Sequence, residues 1–130
     1  MDSNVLLDVA MEDPVWATWS QRQIDEAGRN GRVVINTVIY AELSLAYVTV
    51  DELDAELSAS GLEVLEIPRE ALFLAARAFR AYRRRGGIRT GVLPDFFIGA
   101  HASVEAMTLI TRDLRRRAWF PALHVIAPQG

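Results

Sequence analysis

The chain has 130 residues, 51% of them hydrophobic and 24% charged. That is enough for one globular domain, residues 1–130, with a buried core. With no cysteine, disulfides, thiolate metal sites and a cysteine nucleophile are excluded. All 14 basic residues are arginine, which excludes a Schiff-base lysine and a P-loop lysine. The formal charge of −3 argues against duplex binding through a uniformly basic surface, although the arginines are clustered. No apolar run reaches membrane-spanning length, because Glu42 interrupts Val38 to Val50. The opening Met-Asp-Ser-Asn has neither a basic n-region nor a signal-type apolar segment, so the cytoplasm is the expected compartment.

In chain order, Ser3 or Asn4 is placed to cap a short helix through Met11. Glu12-Asp13-Pro14 starts a second helix, with Pro at its first position, that fades at Gly28 to Gly31. Its Trp16 and Trp19 share a face and are read as core. Arg32 to Asn36 is a short buried strand. Thr37 to Tyr47 is helical by its apolar spacing, and Glu42 shares a face with Val38, Ile39, Leu45 and Ala46. A carboxylate in an apolar stripe is costly unless paired with an arginine or bound to a metal.

Val50 to Leu57 reads as an exposed helix, and Gly61 to Ile67 as a strand with Glu63 and Glu66 near an edge. Arg69 to Arg85 is the longest predicted helix, with Leu72, Ala75, Phe79 and Tyr82 on its apolar stripe. After a glycine-rich loop, Pro94 opens a helix that is apolar nearly all round, with Asp95 in its first turn beside Ile98, Gly99 and Ala102. Those small residues leave room for an ion. Met107 to Thr111 is a buried strand, Arg112 to Arg117 a basic turn or short helix, and His124 to Ala127 a last strand. The alternation implies an α/β sandwich with a mostly parallel sheet.

In such a sheet, functional groups gather beyond the carboxyl ends of the strands. Asp2 stands where a first strand would end, and Asp113 just past the Met107 to Thr111 strand. Glu42 is one turn into the helix after a strand, and Asp95 is at the start of the helix leading into one, so four separate segments can converge on one crevice. Gathered together, like charges repel unless a cation compensates, and an all-oxygen set points to Mg²⁺ or Mn²⁺. Such an ion suits phosphodiester hydrolysis. Arg85, Arg89, Arg112, Arg115 and Arg116 would border the acids and hold a polyanion by its phosphates, or simply solvate helix ends. His101 lies about 120° round its helix from Asp95. It is read as a core histidine bonded to a backbone carbonyl, and His124 has no obvious partner.

Four stretches carry a resemblance: Asp-Ser-Asn-Val-Leu-Leu-Asp from Asp2, Asn-Thr-Val-Ile-Tyr-Ala-Glu-Leu around Glu42, Leu-Pro-Asp-Phe-Phe-Ile-Gly-Ala-His-Ala around Asp95, and Leu-Ile-Thr-Arg-Asp ending at Asp113. In this order and spacing they resemble the PIN-domain family, and within it the VapC-type toxins of toxin–antitoxin pairs. The resemblance implies a three-layer α/β/α sandwich and a Mg²⁺- or Mn²⁺-dependent endoribonuclease with Asp2, Glu42, Asp95 and Asp113 as its acids. It implies Asn4 and Thr111 as supporting polar residues, a homodimer, and a cognate antitoxin inserting a segment near the acids, with Trp16 and Trp19 lining its groove. One departure bears on Asp2. The family has an apolar strand before the first aspartate, whereas here Met1 alone precedes it. Two other classes compete: a non-catalytic RNA-binding or regulatory module on the same fold, and a phosphoacceptor receiver domain, which the missing lysine disfavours.

Overall fold

A computed structural model of the chain describes residues 1–88, 92–113 and 115–128, with Arg116 and Arg117 described in backbone only. Arg89 and the side chain of Arg116 therefore lie outside the described residues, as does Gly91 in the loop before Asp95. In chain order the elements are α1 (Ser3–Ala10), α2 (Ala17–Asn30), β1 (Val33–Asn36), α3 (Thr37–Leu43), a 3₁₀ turn (Ser44–Ala46), α4 (Val50–Ala59), β2 (Leu62–Leu65), α5 (Arg69–Arg84), α6 (Leu93–Val104), β3 (Leu109–Ile110), α7 (Arg115–Trp119) and β4 (Val125–Ile126). This is the expected α/β alternation. Among the described residues no helix is long and apolar enough to cross a membrane.

The strands pair in parallel, β1 with β2 and β3 with β4, as two separate ribbons. One short extended segment ties the ribbons together. The Met1 amine donates to the Val34 carbonyl at 2.8 Å, and the Asp2 amide donates to the Ile110 carbonyl at 2.8 Å. Residues 1 and 2 thus lie between β1 and β3. Met1 is itself buried in the core, and burial pushes its amine down to about 6. Asp2 is thus held from both sides, by the Val34 contact of its predecessor and by its own amide.

Local chemistry explains most boundaries, and several differ from expectation. Asp2, rather than Ser3 or Asn4, caps α1, its Oδ1 accepting from the Ser3 amide at 2.8 Å. Asp13 caps a turn through the Val15 and Trp16 amides, so α2 begins at Ala17 instead of Pro14. In α3 the buried residues are Ile39 and Leu43, and the chain then tightens into the 3₁₀ turn. Leu45 and Ala46 are exposed there, so Glu42 flanks the apolar stripe and is only half-buried. On α5 the buried line runs through Ala71 and Ala75, and Leu72 is 40% exposed. Of the expected stripe, Ala75, Phe79 and Tyr82 face the core, and only Leu72 gives its place to Ala71.

The core is centred on α6, whose Phe96, Ile98, Gly99, Ala100, His101 and Ala102 are all buried. α5 packs along α6, and Phe79, Tyr82, Trp119 and Phe120 surround Phe96, with the Trp119 ring stacked on it at 4.1 Å. The room beside Gly99 is taken by Phe120. A Cβ at position 99 would stand 2.7 Å from the Phe120 ring. The glycine therefore serves aromatic packing on this side of the helix, not access for an ion.

Candidate functional site

The site is built on Asp2, which is 1% exposed and so must have its lone pairs filled. Its Oδ1 accepts from the Ser3 amide at 2.8 Å and lies 3.4 Å from the Ser3 hydroxyl. Its Oδ2 accepts from the Thr111 hydroxyl at 2.7 Å, with the Asn4 amide nitrogen at 3.5 Å. Capping α1 and receiving these donors fixes the carboxylate against the carboxyl end of β3.

Two of the other acidic residues are joined to it, Glu42 through Ser3, whose amide serves Asp2, and Asp113 through its backbone amide on Thr111. Ser3 donates to Glu42 Oε1 at 2.8 Å, which ties α3 to the start of α1. Thr111 Oγ1 accepts from the Asp113 amide at 3.0 Å and from Asn4 Nδ2 at 3.1 Å. Asn4 closes the ring by accepting from the Arg112 amide at 3.2 Å. Glu42, Asp2 and the backbone of Asp113 are thereby linked by a continuous polar network, and Asn4 and Thr111 are its hubs. Ser3 also belongs to it. The sequence reading assigned that residue no such role, although its position between Asp2 and Asn4 was a usable signal.

Asp95 sits half-buried in the first turn of α6, its amide donating to the Val92 carbonyl at 2.9 Å. α6 packs against α3, the helix that carries Glu42. Asp113 is turned toward Arg115. Its Oδ1 accepts from the Arg115 amide at 2.9 Å, and the Arg115 guanidinium forms an ion pair with the carboxylate. Among the described residues no group of three or more histidine, aspartate or glutamate side chains is arranged to hold a metal ion.

The arginines divide. Arg85 is exposed at the carboxyl cap of α5, whose last turn also carries Arg83 and Arg84. Arg115 serves Asp113. Arg112 turns away from the acids and binds the buried Asp8 of α1, with Nη2 donating to Oδ1 at 2.8 Å. Its guanidinium lies over the Trp16 ring, 5.2 Å from the centroid. Trp16 is thus partly a cover for an arginine, and Trp19 packs against the core as expected.

Both histidines have side-chain partners that spacing alone did not disclose. His101 Nδ1 lies 3.2 Å from Asn36 Nδ2, where a backbone carbonyl had been expected. Asn36 Oδ1 already accepts from the Ile39 amide as the cap of α3, so its nitrogen must face the ring. The imidazole is then neutral, with its proton on Nε2. Burial lowers its pKa below the ordinary 6.5, Glu105 opposes that shift, and the Met1 amine adds to it. His124 Nδ1 meets the Thr108 hydroxyl at 3.0 Å.

Comparison with known proteins gives this arrangement a context. A chain of VapBC2 from Rickettsia felis, solved bound to a DNA fragment from their promoter, is 18% identical with a TM-score of 0.73, the match covering 98% of this chain and 96% of that one. VapBC-1 from nontypeable Haemophilus influenzae is similar at 18% identity and a TM-score of 0.71, covering 97% and 94%. A DNA-bound VapBC from Salmonella typhimurium follows at 18% and 0.67, covering 97% and 94%. Among curated proteins no match is found. The PIN-domain family model matches residues 1–118, and the chain belongs to the PIN-domain family.

Proposed function

We propose that the protein is a metal-dependent endoribonuclease acting as the toxin of a toxin–antitoxin pair, with Asp2, Glu42, Asp95 and Asp113 as its acids. One observation carries the reading. Glu42, Asp2 and Asp113, far apart in sequence, are linked through Ser3 and Thr111 into one network at the ends of the strands. Of these, the Asp2 and Glu42 carboxylates meet on one residue, Ser3, and two like charges so held call for a compensating cation. The donor set is all oxygen, which fits Mg²⁺ or Mn²⁺. Such ions keep most of their waters and take one or two direct carboxylates, so the absence of a tight three-acid cage among the described residues suits them.

When bound, the ion would polarise a phosphoryl oxygen and generate hydroxide from a bound water. The chain's own part is positioning. Thr111 and Ser3 hold the Asp2 carboxylate in one rotamer. Asn4 fixes the turn that carries Asp113. Arg85, with Arg89 and Arg116, would grip phosphates, since guanidinium groups match phosphate geometry, and Arg115 would join them only on leaving Asp113. RNA as substrate, the antitoxin, a homodimer and a cytoplasmic location all belong to this reading. It is supported by family membership and by the likeness to VapBC structures.

The test is cleavage of RNA by the purified chain with Mg²⁺ or Mn²⁺, with and without EDTA. Cleavage that EDTA stops supports the proposal. Binding without cleavage at any metal concentration would replace it with a non-catalytic RNA-binding module. The ion pair between Arg115 and Asp113 favours that second reading, because it already neutralises one acid.

A further inference from the structure

Arg112 sits between the two residues of its segment that matter most to the acids, Thr111 and Asp113, yet it does not join them. α1 holds it twice. Asn4 Oδ1 accepts from its amide at 3.2 Å, and one helical turn later Asp8 binds its guanidinium. Asn4 and Asp8, spaced i and i+4, lie on one face of α1, so a single helix face grips backbone and side chain together. Asp8 is 4% exposed, and its Oδ2 also accepts from Ser20, which is fully buried, at 2.8 Å. The Arg112 Nε lies 2.7 Å from the same oxygen, but its N–H makes no hydrogen bond, so charge joins that side of the pair. Trp16 closes the other face of the guanidinium.

We propose that Asp8 and Arg112 form a positioning latch for the acidic pocket. The latch does two things. It pins the Thr111–Asp113 turn to α1, so that the Thr111 hydroxyl stays aimed at Asp2. It also keeps Arg112 out of the pocket. Unlatched, a guanidinium one residue from each of Thr111 and Asp113 would fold back onto the nearby carboxylates and take the place of a cation. This rests on the metal-dependent reading given above, in that the pocket is taken to bind a divalent ion.

The experiment uses the double variant Asp8→Leu/Arg112→Met, because removing both members of the pair leaves no stranded charge, whereas removing one does. A second variant, Asp8→Leu alone, frees Arg112 to enter the pocket. Three quantities are read: the melting temperature, amide hydrogen exchange at Arg112 and Asp113, and Mn²⁺ affinity by titration. The expected result is a melting temperature for the double variant lowered only by the loss of the Ser20 acceptor and above that of Asp8→Leu alone, exchange at both amides faster by about tenfold, and Mn²⁺ binding weaker by about tenfold. In Asp8→Leu alone, Mn²⁺ binding falls further than in the double variant, since the free guanidinium competes. Unchanged exchange in the double variant overturns the latch. So does accelerated exchange with unaltered Mn²⁺ affinity. If the wild-type chain takes up no Mn²⁺ at millimolar concentration, the metal reading fails instead, and the exchange rates alone decide whether the turn is pinned.

Discussion

The Thr111 hydroxyl donates to Asp2 Oδ2 across 2.7 Å, although 109 positions separate the two residues. Thr111 is fully buried and Asp2 nearly so. A hydrogen bond from a neutral hydroxyl to a buried carboxylate is worth more than one between neutral groups, and its loss exposes the full cost of an underfilled charge. Thr111→Val, which keeps the shape and removes the donor, should therefore lower stability by about 2 kcal/mol. Urea unfolding checks this. A midpoint unchanged from wild type would mean that Ser3 and Asn4 suffice to satisfy Asp2.

Asp95→Asn tests the helix α6 acid. The substitution keeps size and hydrogen-bonding capacity in the first turn, and removes only the charge that favours a cation. RNA cleavage should drop by about 100-fold or more while the melting temperature holds. Equal cleavage rates for variant and wild type would remove Asp95 from the site.

The contact between His101 and Asn36 sets a pH dependence. A protonated ring would put two donors face to face in a buried place. The folded-state pKa lies below the ordinary 6.5, so as pH falls the unfolded chain takes up the proton first. The stabilising contribution is present above that ordinary value and is lost as pH falls through the folded one. Urea midpoints should drop between about pH 7.5 and pH 5, and drop less in His101→Gln, whose amide does not titrate. The Met1 amine, pushed down to about 6 by burial, acts in the same direction, so the difference between the two proteins is the informative quantity. Equal slopes would sink the assignment.

Gly99→Ala pits two effects against each other. Within a helix, alanine is favoured over glycine by about 1 kcal/mol. Against this, the new methyl would meet the Phe120 ring at 2.7 Å, a ring that is buried and in edge contact with Phe96. Overpacking of this kind costs about 1–3 kcal/mol, so the net effect should be a lowered melting temperature. A rise would show that the ring can shift freely.

What the sequence determined by itself was the set of elements and the family they belong to. Hydrophobic period, Gly and Pro placement and the acids at strand ends are local signals, and they placed β1, α5, α6 and β3 to within a few residues. The single-residue errors came where local rules compete. Asp2, Ser3 and Asn4 can all cap α1, and only the Thr111 and Ile110 partners select Asp2. Leu72 and Ala71 differ by one position on α5, and only the face presented to α6 decides which turns inward.

The tertiary structure alone decided the partners. That Arg112 pairs with Asp8, that His101 faces Asn36, and that Gly99 makes room for Phe120 are long-range pairings. Their cause is desolvation: once the helices close over the strands, each buried charge or ring must take whichever complement lies within reach, and spacing along the chain does not carry that information.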